Sequence, residues 1–594
     1  MDRYLAAGDP KFPRFPRPGT VPGFMEIIAC AVTAIAYLRT LAFGFVYDDI
    51  PQILKNPAIQ NWHYASQYFT SHVWAAIYPN SVGNYYRPLF LLWLRMNYAL
   101  FGAAPAGWHA VSVLCHLVAT YLVFRLARQL TCDRTIGFTA ALFFGLHPAH
   151  VENVAWISGV TDPLMACFVL ASCSTFLSFR ESREAFRLLA SIGWFALALL
   201  SKETAIVLPL LILALIWPAR ATQADSAPTP LTLATLIRQI SPYALLALIY
   251  LGVRSVVLRG FTHPTVAISW TEMFLTWPSV LWFYAKHLLC PLRLSEFYPL
   301  DYVRHFTAAL VLWPLLVLLA LAPGVYCWIR ALPQKEAARF AVALIVLPLL
   351  PVLDLRSLTI GDIVHDRYLY LPSAGFALLL ALSVAALRRR MPERQRIIVP
   401  AALASAVALI FAVLTLTGQR QWASDIQLYT RGMESAPDNL TVRDNLANAL
   451  MDANQPQRAI PLYLDVLKRN PDFWRSNYNL GYAYYKTGNF AAAEESLQRA
   501  IRIDSSDPDQ FIYLAIVQFQ SKKFPEDADS ARRAIARNPQ ARGYHFILGL
   551  ICEAGGDTNA AIAALKTELA GHPDNAPAIA ELQKIEGTSA NPRP

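Results

Sequence analysis

Two adjacent carboxylates follow the first apolar run of the chain, in the segment Tyr47-Asp48-Asp49. A carboxylate pair at a membrane surface can accept a proton or bind a divalent ion. The charge of a neighbour and apolar surroundings raise the pKa of a carboxyl group toward neutrality, as a general base requires. Asp48 and Asp49 are therefore the candidate catalytic residues, with Asp48 slightly favoured as the base. The alternative is a solvated turn before Pro51.

Two arginines have the chemistry to bind phosphate. Arg87 precedes an aromatic segment, and Arg367 begins a late helix. A guanidinium group offers two parallel hydrogen bonds to a phosphate or a carboxylate. The pair Lys202-Glu203 lies in a short connection between two apolar runs, where ionisable residues are costly and indicate function. The alternatives are that Arg87 anchors the membrane interface and that Lys202 and Glu203 only neutralise each other.

A second set of ionisable residues has supporting chemistry, namely hydrogen bonding to a sugar, to an acceptor group or to the aspartates. This set consists of His147, His150, Glu152, Asp162, Glu203 and His365. Its His-Pro-x-His-x-Glu segment resembles a metal-binding cluster, but the proline, Pro148, interrupts the helical spacing that zinc proteases use. No metal ligand is therefore assigned. A divalent metal held by Asp48, Asp49 and a histidine is an open alternative.

Membrane helices must position these residues. Charged residues make up 15% of the chain, against about a quarter in soluble proteins. Residues 23–420 form a succession of apolar runs, many of them close to the ~20 residues that cross a bilayer. We predict about 11 transmembrane helices in this domain, preceded by a cytoplasmic Pro-rich segment at residues 1–22. The net charge is +10. Much of this excess lies in short loops between apolar runs, where basic residues fix the orientation of the protein in the membrane, so no nucleic-acid partner is predicted.

The orientation follows from the basic residues of the short loops, which favour the cytoplasm. This rule places five loops, including those that carry the candidate residues, on the other side: residues 46–87, 147–162, 201–203, 254–270 and 354–367. The aromatic segment 274–289 is predicted to lie at the interface or to re-enter the membrane without crossing it. The domain that follows the membrane helices is then extracytoplasmic, either periplasmic or lumenal. If this segment crosses the bilayer, that domain is cytoplasmic instead.

The last part of the chain, residues 428–590, contains an internal repeat. The pairs Leu446-Ala447, Leu480-Gly481, Leu514-Ala515 and Leu548-Gly549 recur every 34 residues, which is the period of tetratricopeptide repeats. About four repeats fit this region. The predicted fold is therefore all-α, with a polytopic membrane domain followed by an α-solenoid whose concave face binds a partner protein.

The motifs taken together resemble those of the transmembrane tetratricopeptide-repeat O-mannosyltransferases. In chain order they are Tyr47-Asp48-Asp49, Tyr86-Arg87-Pro88-Leu89, His147-Pro148-x-His150-x-Glu152, Lys202-Glu203, Pro291-Leu292-Arg293-Leu294-Ser295 and Arg367-Tyr368-Leu369-Tyr370-x-Pro372-Ser373. The resemblance covers nearly the whole chain, but the array of about four repeats is short for this family. The cysteine usage and the Pro-rich N-terminus suit a bacterial relative. The resemblance implies a GT-C fold and an enzyme that moves a sugar, mannose or a related hexose. The donor would be a polyprenyl-phosphate membrane lipid, and the acceptor a Ser or Thr hydroxyl of an extracytoplasmic protein.

The same resemblance implies roles for the candidate residues. Arg87, Lys202 and Arg367 would bind the donor phosphate, and Asp48 or Asp49 would be the base. The repeats would recruit the acceptor protein. The lipid-linked sugar is then the substrate, and this chemistry requires no further cofactor.

Two other functions fit parts of the sequence. A polymerase or ligase that joins lipid-linked glycans would use the same residue types, but a long external loop late in the membrane domain, which would favour it, is not evident in this sequence. A non-enzymatic scaffold anchored in the membrane would use the repeats alone. Such a scaffold has no need to gather ionisable residues on one face of the membrane.

Overall fold

A computed structural model describes residues 23–79, 81–216 and 233–589 of the chain. Within these ranges the secondary structure is helical and no β-strand forms, apart from one isolated bridge between Thr359 and Asp362. The predicted all-α fold is confirmed. The predicted N-terminal segment at residues 1–22 lies outside the described residues.

The chain divides into two compact units, Met1–Ser435 and Ala436–Pro594. The first unit contains the apolar runs. Its α-helices are Phe24–Tyr37, Pro57–Gln60, Pro88–Phe101, Pro105–Thr131, Arg134–Gly145, Val151–Ala155, Thr161–Ser182, Ala185–Ser201, Leu208–Ile216, Leu233–Val257, Trp270–Leu289, Trp313–Ala331, Lys335–Val346, Tyr370–Arg390, Ile398–Gly418 and Asp425–Ser435. Short helical turns precede or extend many of these helices.

Eight helices among the described residues are long and apolar enough to cross a membrane, judged by length and composition. They are Phe24–Ala42, Pro105–Thr131, Ile157–Ser182, Leu233–Val257, Ala308–Ala331, Lys335–Leu353, Asp366–Arg390 and Ile398–Ala423. Two shorter apolar helices, Ala185–Ser201 and Glu203–Ile216, lie in the same unit. The chain is therefore a multi-pass membrane protein. The 20-residue helix Trp270–Leu289 is not one of the eight, so its interfacial position and the number of crossings stay predictions.

The ends of these helices follow local sequence signals. Pro88 and Pro105 each occupy the first turn of a helix, where a missing N–H costs no helical hydrogen bond. Asp133 caps the helix Arg134–Gly145, because its carboxylate accepts hydrogen bonds from the backbone N–H groups two and three residues further on. These signals fix where each helix begins and where the preceding loop ends.

Burial separates the spans into two kinds. In Ile157–Ser182 and Asp366–Arg390, 72% of an 18-residue apolar stretch is buried inside the protein. The buried share of the corresponding stretch is 11% in Ala308–Ala331 and 22% in Ile398–Ala423. The first two spans form the centre of the unit. The other two expose apolar side chains, which lipid accepts. Because Arg367 lies in the first turn of a central span, a rigid element positions it.

The second unit, over residues 436–589, consists of four helix pairs and a final helix. Its helices are Leu440–Asp452, Pro456–Arg469, Trp474–Lys486, Phe490–Ile503, Pro508–Gln520, Phe524–Arg537, Tyr544–Ala554, Thr558–Gly571 and Ala576–Ser589. A Cβ on Gly481 would stand 2.7 Å from Cγ of Leu497, and one on Gly549 would stand 2.9 Å from Cγ of Leu565. The small residue of the repeated pair is thus needed where two helices cross. The predicted solenoid of helix pairs is confirmed.

Candidate active site

A small polar cavity of about 90 Å³ brings together four of the residues singled out from the sequence. Asp48, Arg87, Lys202 and Arg367 all line it. Aromatic rings form much of the remaining wall: those of Trp74, Tyr85, Phe90, Trp156 and Tyr368. The predicted base and the three predicted phosphate-binding cations thus face one space, although they lie on four separate segments of the chain.

The two adjacent aspartates have different surroundings. Asp49 is buried, and its Oδ1 accepts hydrogen bonds from the Ser158 backbone N–H at 2.9 Å and from the Ser158 hydroxyl at 2.6 Å. Its Oδ2 accepts a hydrogen bond from the Val46 N–H at 3.3 Å. Asp48 is partly exposed to the cavity, and no described residue donates a hydrogen bond to its carboxylate. Asp49 therefore fastens the loop, and Asp48 is the carboxylate open to a substrate.

Both carboxyl groups titrate close to neutral pH. Burial raises the pKa of Asp48 to about 7, and the positive charge of Arg367 opposes this shift. The negative charges of Asp49 and Asp362 add to it. Burial also raises the pKa of Asp49 to about 7, against the lowering effect of the Ser158 hydrogen bonds. Since an aspartate in water has a pKa of about 3.9, Asp48 is tuned to exchange a proton under neutral conditions.

Tyr47 holds the turn that directs Asp48 into the cavity. Its φ angle of 56° lies in the left-handed region, which costs a residue with a side chain on the order of 1 kcal/mol. The Tyr47 N–H donates a hydrogen bond to Oδ1 of Asp425 at 2.8 Å. Its ring packs against the rings of Trp156 and Phe297, with centroids 5.6 and 6.1 Å away. These contacts offset the backbone strain.

Carboxylates orient two of the cations. Arg87 donates Nε to Oε2 of Glu203 at 3.0 Å and Nη2 to Oε1 at 2.5 Å. Lys202 donates Nζ to both oxygens of Asp162, at 2.7 and 2.6 Å. A buried charge is stable only with such partners. Glu203 and Asp162, both in the predicted supporting set, are thus brought to the site as partners of its cations.

Arg367 joins two carboxylates from distant segments. Its Nη1 lies 2.5 Å from Oε1 of Glu152 and 2.9 Å from Oε1 of Glu296, and its backbone N–H donates to Oε2 of Glu152 at 3.0 Å. Burial, together with the negative charge of Glu296, raises the pKa of Glu152 to about 8. Glu296 was not among the residues predicted from the sequence. The signal that could have found it is a carboxylate in an apolar and aromatic stretch, directly after the recognised segment 291–295.

Asp366 is a second buried carboxylate that the sequence analysis did not assign to the site. Its Oδ1 lies 2.9 Å from Nδ1 of His287, and its Oδ2 accepts a short hydrogen bond from the hydroxyl of Tyr298. Asp366 therefore ties the helix Trp270–Leu289 and the following loop to the start of a central span.

The two predicted histidines of the His-Pro-x-His segment do not line the cavity. Nε2 of His150 lies 2.6 Å from Oγ of Ser373, and Nε2 of His147 lies 3.2 Å from the carbonyl oxygen of Leu288. Both histidines are fully buried, and burial lowers the pKa of His147 to about 4. They pack among the helices, so the predicted hydrogen bonds to Asp48 and Asp49 are not formed, and a supporting role stays a prediction.

A cluster of possible metal ligands differs from the one considered in the sequence. Among the described residues, the group of ligand atoms that lie close enough to share a metal does not include Asp48 or Asp49, and a metal held by these aspartates and a histidine stays an open alternative. Glu152, Glu296 and His365 instead direct one ligand atom each toward a common space, with these atoms within 4.8 Å of one another. His365 was in the predicted supporting set, and this is its place in the structure.

Two larger cavities adjoin the polar one through shared wall residues. A cavity of about 310 Å³ shares Asp48 and Trp74 and continues past Pro51 and Tyr78. Another, of about 290 Å³, shares Tyr85 and Tyr368. Its further wall has an apolar part with Ile206, Tyr250, Leu251 and Phe261, and a charged part with Glu203, Arg254 and Asp354. One neighbouring cavity therefore lies on the side of Asp48, and the other lies on the side of Tyr85 and Tyr368, near the cations.

Sequence comparisons relate both units to known proteins. Residues 86–246 match the family described as dolichyl-phosphate-mannose-protein mannosyltransferase, and residues 445–508 and 514–576 match tetratricopeptide repeats. Protein O-mannosyl-transferase F38B6.6 of Caenorhabditis elegans is 26% identical over 460 residues, which is 75% of this chain and 63% of that protein. Protein O-mannosyl-transferase TMTC3 of Mus musculus is 24% identical over 583 residues (89% and 61%). Protein O-mannosyl-transferase TMTC1 of Homo sapiens is 27% identical over 530 residues (78% and 57%).

The chain spans about three fifths of the length of these curated relatives. The membrane and repeat assignments of the sequence analysis are confirmed by the matches to both units. The bacterial origin stays a prediction.

The different surroundings of the two aspartates predict different effects on stability. Asp49→Ala leaves the Ser158 and Val46 donors unpaired in a buried place, and we expect it to destabilise the protein by about 3 kcal/mol. Asp48→Ala removes a carboxylate that accepts no hydrogen bond, and we expect a change below about 0.5 kcal/mol. Thermal unfolding of the purified full chain in detergent measures both. Equal destabilisation by the two variants would contradict the assignment of Asp49 as the fastening carboxylate.

Proposed function

We propose that this chain, which matches a mannosyltransferase family and tetratricopeptide repeats and is similar to protein O-mannosyl-transferases over most of its length, is a glycosyltransferase of the transmembrane tetratricopeptide-repeat O-mannosyltransferase family. It transfers mannose or a related hexose from a polyprenyl-phosphate donor to a Ser or Thr hydroxyl of an extracytoplasmic protein. The observation that carries this proposal is the cavity in which Asp48 meets Arg87, Lys202 and Arg367. Transfer from a phosphate leaving group to a hydroxyl needs a base next to such a set of cations.

The cations are oriented so that they retain donors for a phosphate group. Arg87 uses Nε and Nη2 for Glu203, so its Nη1 remains to donate into the cavity. Arg367 uses Nη1 for its two carboxylates, so Nε and Nη2 remain. Lys202 adds a charge that is held in place by Asp162. In the proposed complex these groups bind the donor phosphate.

The transfer step is a single displacement. The acceptor hydroxyl oxygen attacks the anomeric carbon while the bond from that carbon to the phosphate oxygen breaks. A glycosidic bond forms, polyprenyl phosphate leaves, and Asp48 takes the hydroxyl proton. Because negative charge grows on the phosphate as the bond breaks, Arg367 and Lys202 stabilise the transition state more than the ground state. One displacement inverts the configuration of the anomeric carbon.

The adjoining cavities suit the two substrates of this reaction. The apolar part of the wall, near Tyr250, Leu251 and Phe261, fits the first isoprene units of the donor lipid. The cavity beside Asp48, Pro51 and Trp74 leads to the base and fits an acceptor segment. In this arrangement donor and acceptor approach the anomeric carbon from different sides, as an in-line displacement requires.

We assign recruitment of the acceptor protein to the second unit, which we propose is extracytoplasmic. Tyr478, Tyr482 and Tyr513 form a contiguous aromatic cluster on the first helices of two neighbouring repeats, with ring centroids 5.0 to 5.9 Å apart. These rings are half-buried, and the accessible part of each ring can pack against a peptide segment of the acceptor. Linking a binding module to an enzyme raises the effective concentration of the acceptor.

Replacing the proposed base tests the mechanism. We expect Asp48→Asn to lower the rate of sugar transfer at least about 100-fold, because the amide cannot accept the hydroxyl proton. The measurement is transfer from polyprenyl-phosphate-linked mannose in membranes that contain equal amounts of each variant. The matched control is Asp301→Asn, an exposed carboxylate outside the cavity, which should retain full activity. Full activity of Asp48→Asn would exclude Asp48 as the base.

The pH dependence of transfer tests the tuning of Asp48. The base acts when ionised, so kcat/KM should fall as the pH decreases through about 7, the pKa to which burial raises Asp48. Asp362→Asn removes a negative charge that raises this pKa, so the midpoint should move to lower pH, while Asp301→Asn should leave it unchanged. A flat profile between about pH 5.5 and about pH 8.5, or a midpoint that moves upward in Asp362→Asn, would contradict the assignment.

A further inference from the structure

Three buried side chains from distant segments converge beside Arg367. Glu152 lies in the short helix Val151–Ala155, Glu296 in the loop after the helix Trp270–Leu289, and His365 just before a central span. Each is at least 95% buried. Their carboxylate oxygens and imidazole nitrogen lie within 4.8 Å of one another.

Several polar atoms of this cluster lack a hydrogen-bond partner although water does not reach them. They are Oε2 of Glu296, Nδ1 of His365 and Oδ1 of the neighbouring Asp362. Nδ1 of His365 is 3.5 Å from Oε1 of Glu296, and its Nε2 is 3.7 Å from Oδ1 of Asp362. These distances exceed those of ordinary hydrogen bonds. A buried polar atom without a partner costs about 1–3 kcal/mol, so several such atoms directed at one space indicate a missing ligand.

The groups of the cluster indicate the chemistry of that ligand. Three carboxylates, of Glu152, Glu296 and Asp362, lie near one cation, the guanidinium of Arg367. That guanidinium reaches two of them through a single nitrogen. His365 adds an imidazole nitrogen, Nδ1, that is buried and has no hydrogen-bond partner. Three carboxyl groups beside one guanidinium offer oxygen ligands of the kind that divalent cations bind, and a bound metal displaces any proton that they hold.

We propose that Glu152, Glu296 and His365 bind one first-row divalent metal ion, with Asp362 as a further carboxylate beside it. Two carboxylate oxygens and one imidazole nitrogen are a ligand set that Zn²⁺ and Mn²⁺ accept. Bonds of about 2.1 Å in tetrahedral geometry place ligand atoms about 3.4 Å apart. A small contraction of the present cluster, by side-chain rotation, gives this spacing.

Metal binding has a consequence for Arg367, which rests on the proposed transferase function. The positive charge of the metal offsets the negative charge of the two glutamates, which weakens their ion pairs with Nη1 of Arg367. More of the positive charge of Arg367 then acts on the polar cavity that it lines. The metal would therefore strengthen donor-phosphate binding without contacting the phosphate itself.

The test measures metal directly. The purified full chain in detergent is incubated with Mn²⁺ or Zn²⁺ and desalted, and bound metal per protein is determined by mass spectrometry of the elements. We expect about one equivalent for the wild type and at least a tenfold loss of affinity in Glu296→Gln and His365→Gln. Matched controls are Asp301→Asn and His305→Gln, which change exposed residues and should retain the metal. The conservative Glu296→Asp checks that a loss does not come from misfolding.

Two further readouts complete the test. The same metal should raise the thermal unfolding temperature of the wild type and of the controls, and not that of Glu296→Gln or His365→Gln. Sub-stoichiometric metal in the wild type, or equal binding by all variants, would overturn the site and show that Arg367 alone neutralises the cluster. Bound metal without any sugar transfer would refute the proposed function and leave the site standing. Sugar transfer by protein that binds no metal would refute the metal site and leave the proposed function standing.

Discussion

The ion pairs of Arg367 are the contact on which the site depends. A charge taken out of water is stable only where partners of opposite charge meet it. Arg367 finds those partners in Glu152 and Glu296, which come from two other loops. Leaving a buried charge without its partner costs about 3–5 kcal/mol. This pairing therefore joins three separate segments at one end of the central span Asp366–Arg390.

Two further pairs follow the same rule and give the cavity its shape. Lys202 with Asp162 and Arg87 with Glu203 each join a cation of the cavity wall to a carboxylate behind it. The carboxylates orient the cations and leave their remaining donors toward the open space. Asp48 lines that space without a hydrogen-bond donor of its own among the described residues. The ion pairs that neutralise the buried charges of the loops therefore also orient the cations around the proposed base.

Much of this organisation could be predicted from the sequence. The apolar runs predicted membrane helices because a bilayer sets their length, and the recurrence of pairs such as Leu480-Gly481 predicted the solenoid because each helix crossing needs a small residue. Arg87, Lys202 and Arg367 could be singled out because ionisable residues at membrane depth are costly. The structure brings these three to one cavity with Asp48.

The partners of these residues could not be predicted, because they depend on distances across the fold. Asp48 and Asp49 are adjacent and alike in the sequence, yet the strained turn at Tyr47 and the donors of Ser158 give them different surroundings. In the sequence, His150 resembles a metal ligand, but in the structure its ring contacts the hydroxyl of Ser373 inside the helical core. Glu296 lies in no motif and acquires its place only when three loops meet.

The central claim is that the cations around Asp48 bind the donor phosphate, and a structure of the full chain with bound polyprenyl phosphate tests it most directly. The account predicts phosphate oxygens at hydrogen-bond distance, about 3 Å, from at least two of Arg87, Lys202 and Arg367. A second cavity of the same unit, of about 450 Å³, is lined by Arg293, Arg420 and Arg431. A phosphate bound there, with none in the cavity of Asp48, would contradict the account.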